Sequence, residues 1–198
     1  MSTAPDEESL PPYEGITLAN VVLVKSGQDA AGALAALSKA DVIGFDTESK
    51  PTFAKGEEST GPHLVQLATD DTAWLFQIGA SPAIDVQDVL RAVLEAPAIL
   101  KVGFGLGDDI RRLRSKLGIE TNNVVDLSTA LRRGERNALG AKTAVARFFG
   151  QRLQKSKRIT TTNWAQPRLS EKQILYAADD AHVALRVYRH WRALQLNR

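Results

Sequence analysis

The spacing of hydrophobic and polar positions changes period several times along the chain. Ile16–Val24, Asp41–Asp46, His63–Ala68 and Ala73–Ile78 are short runs rich in apolar and β-branched residues and read as strands. The Ala-rich segment Ala30–Leu37 reads as a helix between the first two. Thr69-Asp70-Asp71-Thr72 is a turn signal that joins the third and fourth strands as a hairpin. Asp85–Leu94 is a helix ended before Pro97, Ala98–Phe104 a buried strand, and Asp108–Leu117 a helix stopped by Gly118. Asn123–Leu127 reads as a short strand leading into a helix over Ser128–Arg133. Leu139–Phe149 is a helix closed by Gly150, and Ser170-Glu171 opens a last helix that runs to about Ala193. A meander of strands followed by strands mixed with helices predicts an α/β fold with a central sheet of mixed direction and helices on both faces. Residues 1–14, Lys50–Pro62 and Gln151–Gln166 are linker-like.

Composition narrows this picture. With 198 residues and 43% hydrophobic content there is material for one substantial core, so residues 15–198 are expected to form a single domain behind a disordered tail, 1–14. The absence of cysteine excludes disulfides and Cys-ligated zinc, which leaves Asp, Glu and three histidines as metal ligands and favours Mg²⁺ or Mn²⁺. The acidic, Pro-rich start has no basic and apolar leader pattern, and no stretch reaches the roughly 18 apolar residues of a membrane span. A soluble, cytoplasmic protein without membrane contact is expected. The net charge of +2 conceals a division: residues 1–100 hold 5 Lys/Arg against 15 Asp/Glu, and residues 101–198 hold 20 against 8. Basic clusters at Arg111, Arg112, Arg114 and Lys116, at Arg132, Arg133 and Arg136, and at Arg152, Lys155, Lys157 and Arg158 suit a phosphate backbone.

Three acidic stations carry candidate chemistry. Asp46 and Glu48 follow an apolar strand at a spacing of two, so both carboxylates share one face. Asp108 and Asp109 open a helix after Gly103-Phe104-Gly105. That turn, with Asp126 about 20 residues on, has the outline of a dinucleotide fingerprint. However, Asp108 stands where its third glycine belongs, and two carboxylates would repel a pyrophosphate, so no nucleotide cofactor is expected. Tyr176 and Asp180 are neighbours at i and i+4 on one helix face, a phenol beside a carboxylate that suits a water held near a metal. Together the stations read as a two-metal phosphodiesterase.

These residues also carry a family resemblance. Phe45-Asp46-Thr47-Glu48, Leu64-Val65-Gln66-Leu67 with Trp74-Leu75-Phe76, Val102-Gly103-Phe104-Gly105 through Asp109, Asn163-Trp164 and Tyr176-Ala177-Ala178-Asp179-Asp180-Ala181 resemble, in order, the motifs of the DEDDy 3′–5′ exonucleases. That group includes ribonuclease D and the Werner-syndrome exonuclease domain. The resemblance covers about residues 16–194. It implies an RNase H-like exonuclease fold and removal of nucleoside 5′-monophosphates from nucleic-acid 3′ ends. It further implies that Asp46, Glu48, Asp109 and Asp180 hold two divalent metal ions, Mg²⁺ or Mn²⁺, while Tyr176 positions the attacking water. Asp108 and Asp179 are adjacent decoys, Asp179 pointing away from the Tyr176 face. Expected substrate contacts are Thr47, Leu67 and Phe104 near the terminal base, and Lys155, Lys157 and Arg158 along the phosphates. Trp164 is expected to pack beside the site, His63 to be structural, and the Lys50–Pro62 loop to be mobile over the site. DNA is slightly favoured, with a ribonuclease D-like or short-oligoribonucleotide 3′–5′ exoribonuclease as the alternative. Larger ribonuclease D-like proteins carry a further C-terminal nucleic-acid-binding domain, so this chain is expected to act alone, on short ends or with a partner.

Overall fold

The computed structural model describes residues 9–53, 56–79, 84–132 and 137–196. Six strands form one sheet: β1 Val21–Val24, β2 Val42–Glu48, β3 Leu64–Ala68, β4 Ala73–Gln77, β5 Leu100–Gly103 and β6 Val124–Asp126. Their order is β1-β4-β3-β2-β5-β6. The β2-β3-β4 meander is antiparallel, whereas β1 joins β4, and β5 and β6 extend from β2, in parallel. The helices are α1 Gly27–Leu37, α2 Ile84–Leu94, α3 Gly107–Leu117, α4 Leu127–Ala130, α5 Ala141–Phe149, α6 Lys157–Thr160 and α7 Glu171–Leu196.

Each sheet face buries a different set of helices. Ile43, Phe45, Val65, Leu67 and Phe76 pack with apolar residues of α1, α2 and α3. On the opposite face Val42, Leu64, Ala68 and Leu75 meet α7, which is flanked by α5. Ala177, Ala178, Ala181 and Ala184 are buried in α7 and keep its sheet-facing side low. A Cβ at Gly44 would overlap the Ala181 carbonyl oxygen, so glycine lets α7 lie directly on β2. This close approach brings the second half of β2 beside the Tyr176–Asp180 turn.

Element ends differ from expectation for local reasons. The first strand begins at Val21, because Thr17–Asn20 closes a 3₁₀ turn through Asn20 N–H to Thr17 O at 2.9 Å. Helix α1 begins three residues early, where Ser26 and Asp29 form a reciprocal capping box. The expected helix over Ser128–Arg133 is shorter, Leu127–Ala130, with Asp126 as its cap, and Arg133 lies outside the described residues. The expected disordered tail, residues 1–14, needs correction in its last part. Tyr13 N–H bonds Arg152 O at 2.9 Å, its ring lies 6.0 Å from Phe149, and Arg186 sits over both rings at 5.1 and 5.3 Å. An aromatic ring and a guanidinium bury well together, so Pro11–Ile16 runs as a strap against α5 and α7.

Candidate active site

The pleat of β2 sends Asp46 and Glu48 toward α7, with Phe45 and Thr47 on the opposite face. Asp46 lies opposite Gln66 of β3, and Glu48 opposite Leu64. Beside β2, strand β5 ends at Gly103 and turns through Gly105, whose φ of 71° favours glycine, into α3. The Asp126 carboxylate fastens this turn, accepting Gly105 N–H at 2.9 Å, Leu106 N–H at 3.2 Å and Ser128 N–H at 2.9 Å. Asp109 thereby stands in the first turn of α3, where the Thr47 hydroxyl donates to its Oδ1. From α7, Asp180 enters the same region, with Tyr176 one turn earlier. The Tyr176 hydroxyl shares a 2.9 Å hydrogen bond with Thr160 Oγ1. Behind it Trp164 is fully buried, its ring 6.2 Å from Tyr176 and its indole N–H donating to Thr160 O at 3.2 Å. Lys155 Nζ completes the group, 2.8 Å from Asp180 Oδ1 and 5.9 Å from the Tyr176 ring centroid.

Burial dominates the electrostatics of these groups. The Asp46 carboxyl is held well above its ordinary range by burial and by the charges of Asp180 and Asp109. Burial, then Asp46 and Asp180, push Glu48 up to about 9. Asp109 and Asp180 are raised by burial, against hydrogen bonds from Thr47 and from Lys155 and Tyr176 respectively. Burial would lower the Lys155 ammonium, but the adjacent Asp180 carries it above an ordinary lysine. Burial and Asp180 push the Tyr176 phenol up to about 12. Without cations, therefore, part of the cluster keeps its protons at neutral pH. An all-carboxylate oxygen set of this charge fits hard divalent ions such as Mg²⁺ and Mn²⁺. Among the described residues no three His, Asp or Glu side chains are arranged to hold a metal ion in their present positions. Two of the four carboxylates are instead engaged by Thr47 and Lys155.

The structure thus brings Asp46, Glu48, Asp109, Tyr176 and Asp180 together, and it separates the decoys. Asp108 is paired at the surface with Arg111 at 2.8 Å, and Asp179 accepts Ile16 N–H at 3.3 Å beneath the strap. Other expectations are corrected. Leu67 is 0% exposed in the core between β3 and α1–α3, because its pleat phase is that of Phe45, and it cannot stack on a base. Thr47 is buried with its hydroxyl spent on Asp109, which makes it a brace for that residue. Phe104 is half-buried and packed toward α5 and α7. Lys155 points into the carboxylate cluster, whereas Arg158 lines a separate cleft with Thr162, Lys172 and Gln173. The Lys157 side chain lies outside the described residues. The Lys50–Pro62 loop, expected to be mobile, is anchored at its ends. His63 Nδ1 accepts Lys50 N–H at 3.0 Å, and Lys116 Nζ donates to Thr60 O and Pro62 O at 2.8 and 2.9 Å. Sequence reasoning met Asp126 only as part of a dinucleotide outline and missed its bracing of the turn, and it missed the roles of Thr160 and Gln66. An Asp just before a short helix was the available signal for the first, and an amide alternating with apolar residues in a strand for the last.

Comparison with known proteins decides the family. A 3′–5′ exonuclease family model matches residues 21–194. The chain belongs to the 3′–5′ exonuclease family. This exonuclease is 31% identical over 157 residues to the mouse bifunctional 3′–5′ exonuclease/ATP-dependent helicase WRN, a match that covers 77% of the chain and 11% of that protein. It is similar to the Nibbler EXO domain of Aedes aegypti, with a TM-score of 0.77 and 26% identity over 92% of this chain and 91% of that one. Ribonuclease D of Trypanosoma brucei, in a complex with the RNA U12, shares the fold at a TM-score of 0.73 and 20% identity, over 86% of this chain and 61% of that one. The RNase H-like architecture expected from the resemblance is therefore present, and the chain is a nuclease domain. Exonucleases of this family generally depend on divalent metal ions.

Proposed function

We propose that this exonuclease hydrolyses the 3′-terminal phosphodiester of a nucleic acid with two divalent cations, Mg²⁺ or Mn²⁺, held by Asp46, Glu48, Asp109 and Asp180, and releases nucleoside 5′-monophosphates. The observation that carries this reading is the convergence of four carboxylates from β2, α3 and α7, all held above their ordinary range chiefly by burial. Bound cations would supply Lewis-acid stabilisation of the phosphoryl charge and a water of lowered pKa.

The chain's own residues orient the rest. Tyr176, held by Thr160 and backed by Trp164, is placed to orient the attacking water. Asp126 and Thr47 hold Asp109 at the helix start, so that its carboxylate need not be ordered at each turnover. The basic second half of the chain supplies charge for the phosphate backbone. DNA is the favoured substrate, on the likeness to a Werner-type exonuclease domain. An RNA 3′ end is the second reading, favoured by the shared fold with an RNA-bound ribonuclease D.

A gel time course with Mg²⁺ or Mn²⁺ on 5′-labelled single-stranded DNA, recessed-3′ duplex DNA, a long RNA and a short oligoribonucleotide tests the proposal. A shortening ladder on DNA that Asp46→Ala abolishes supports it, and cleavage confined to RNA selects the second reading. Cleavage that persists in EDTA would refute the metal mechanism.

A further inference from the structure

We propose that Lys155 is a built-in counter-ion that occupies the Asp180 carboxylate in the metal-free protein and has to leave it when a divalent cation loads. The inference rests on the metal-site reading above. Lys155 lies on the segment between buried Leu153 and α6, and its side chain, 29% exposed, reaches from the cleft rim to an aspartate whose side chain is 6% exposed. Its ammonium sits 2.8 Å from Asp180 Oδ1 and beside the Tyr176 ring, within the charge field of Asp46 and Glu48. Arg112, the cation on the Asp109 side, bonds Ser49 Oγ at 3.2 Å instead.

An ammonium and a divalent ion compete for this buried carboxylate. The ammonium already takes Asp180 Oδ1, and four carboxylates offset the charge of two divalent ions with none left over for a third cation. Loading Asp180 therefore expels Lys155. Two divalent ions would balance the four carboxylates, so the displaced ammonium becomes surplus positive charge at the rim beside Tyr176. An anionic phosphate oxygen of the substrate is the group that suits it there. The consequence is a coupling: Lys155 opposes metal binding in the free protein, and a substrate phosphate that draws it away relieves the opposition by the same factor.

The test uses the full chain as wild type, Lys155→Gln and Lys155→Arg, with Mn²⁺ as the probe. Mn²⁺ affinity is read by electron paramagnetic resonance, and melting is followed in EDTA. For Lys155→Gln the dissociation constant of the weaker Mn²⁺ site should fall by about tenfold, a typical coupling. Melting of this variant in EDTA should drop below wild type, because Asp180 loses its partner. Lys155→Arg, which retains the charge, should stay near wild type in both. An unchanged or weaker Mn²⁺ affinity in Lys155→Gln, or an unchanged melting point in EDTA, overturns the counter-ion role. If wild type binds no Mn²⁺ at all, the metal site itself fails, and that outcome is distinguishable because it appears before any variant is compared.

Discussion

Strand β2 and helix α7 cross so that each end of the crossing gathers carboxylates, and the two ends treat them in opposite ways. At one end Arg189 of α7 grips Asp41 in a bidentate pair, at 2.7 and 2.8 Å, and also reaches Asp70 at 3.2 Å. Both carboxylates are exposed and Arg189 is half-buried, and the guanidinium holds the Asp41 carboxyl below its ordinary range. At the other end Asp46, Glu48, Asp109 and Asp180 are enclosed with Lys155 as the ion-paired cation, and every one of the four is raised. The same residue type is thus satisfied at the surface and frustrated inside. This contrast is what the proposed chemistry would require of the inner cluster and not of the outer one.

The sharpest way to break this contrast is to remove a charge from the frustrated end. Asp46→Asn should lower turnover by about a thousandfold or more, the several kcal/mol that a lost metal contact takes from the transition state. In EDTA the same variant should melt no lower than wild type, because the removed carboxyl is one that burial already disfavours. Paired activity and melting measurements check both. A variant with normal turnover, or one that melts well below wild type in EDTA, would move Asp46 to the structural class.

Proton linkage gives the next effect. Glu48 is raised from 4.5 to about 9 on folding, so between those values the native state binds more protons than the unfolded chain. Metal-free stability then falls as pH rises across that window. Metal binding requires the deprotonated form, so the stabilisation by Mn²⁺ grows with pH. At a hundredfold excess over its dissociation constant, Mn²⁺ should add about 3 kcal/mol. The gap between melting in Mn²⁺ and in EDTA is expected to widen from pH 6 to pH 8.5, and a gap that stays constant would refute the linkage. Asp41 behaves in the opposite sense: its contribution is present above its unfolded value and lost as pH falls through the lowered one.

How much of this was legible beforehand follows from where information is local. Gly118 and Gly150 end α3 and α5 in the left-handed conformation, and the Thr69–Thr72 turn closes its hairpin, because such signals act over a few residues. The spacing of Asp46 and Glu48 was readable for the same reason. The phase of Leu67 was not, because β3 is covered on both faces and every one of its five residues is buried, so no alternation marks the inner side. Nor was the reach of Lys155 into the cluster, or the strap of Pro11–Ile16 against α7, since both depend on partners distant in sequence.

Gln66 asks whether the frustration spreads beyond the charged groups. Its amide is fully buried opposite Asp46, and neither polar atom has a partner among the described residues. Such a group costs about 1–3 kcal/mol. Gln66→Leu should therefore raise the urea midpoint in EDTA. A lowered midpoint would show that the amide is satisfied in solution, for instance by a buried water, and would confine the frustration to the carboxylates.

The smallest effect belongs to the satisfied end. Arg189→Gln removes a bidentate pair and its second contact, but the side chains are 37%, 71% and 58% exposed for Arg189, Asp41 and Asp70. Solvent screening limits such a network to about 1 kcal/mol or less, and added salt should shrink the difference further. Asp41 and Asp70, released, regain water rather than becoming buried orphans, so turnover should match wild type within twofold, about 0.4 kcal/mol. Urea titrations at low and high salt, with turnover measured in parallel, check this. A large loss of activity would mean that Arg189 sets the tilt of α7 and hence the position of Asp180. The two ends of the crossing would then be mechanically coupled rather than independent.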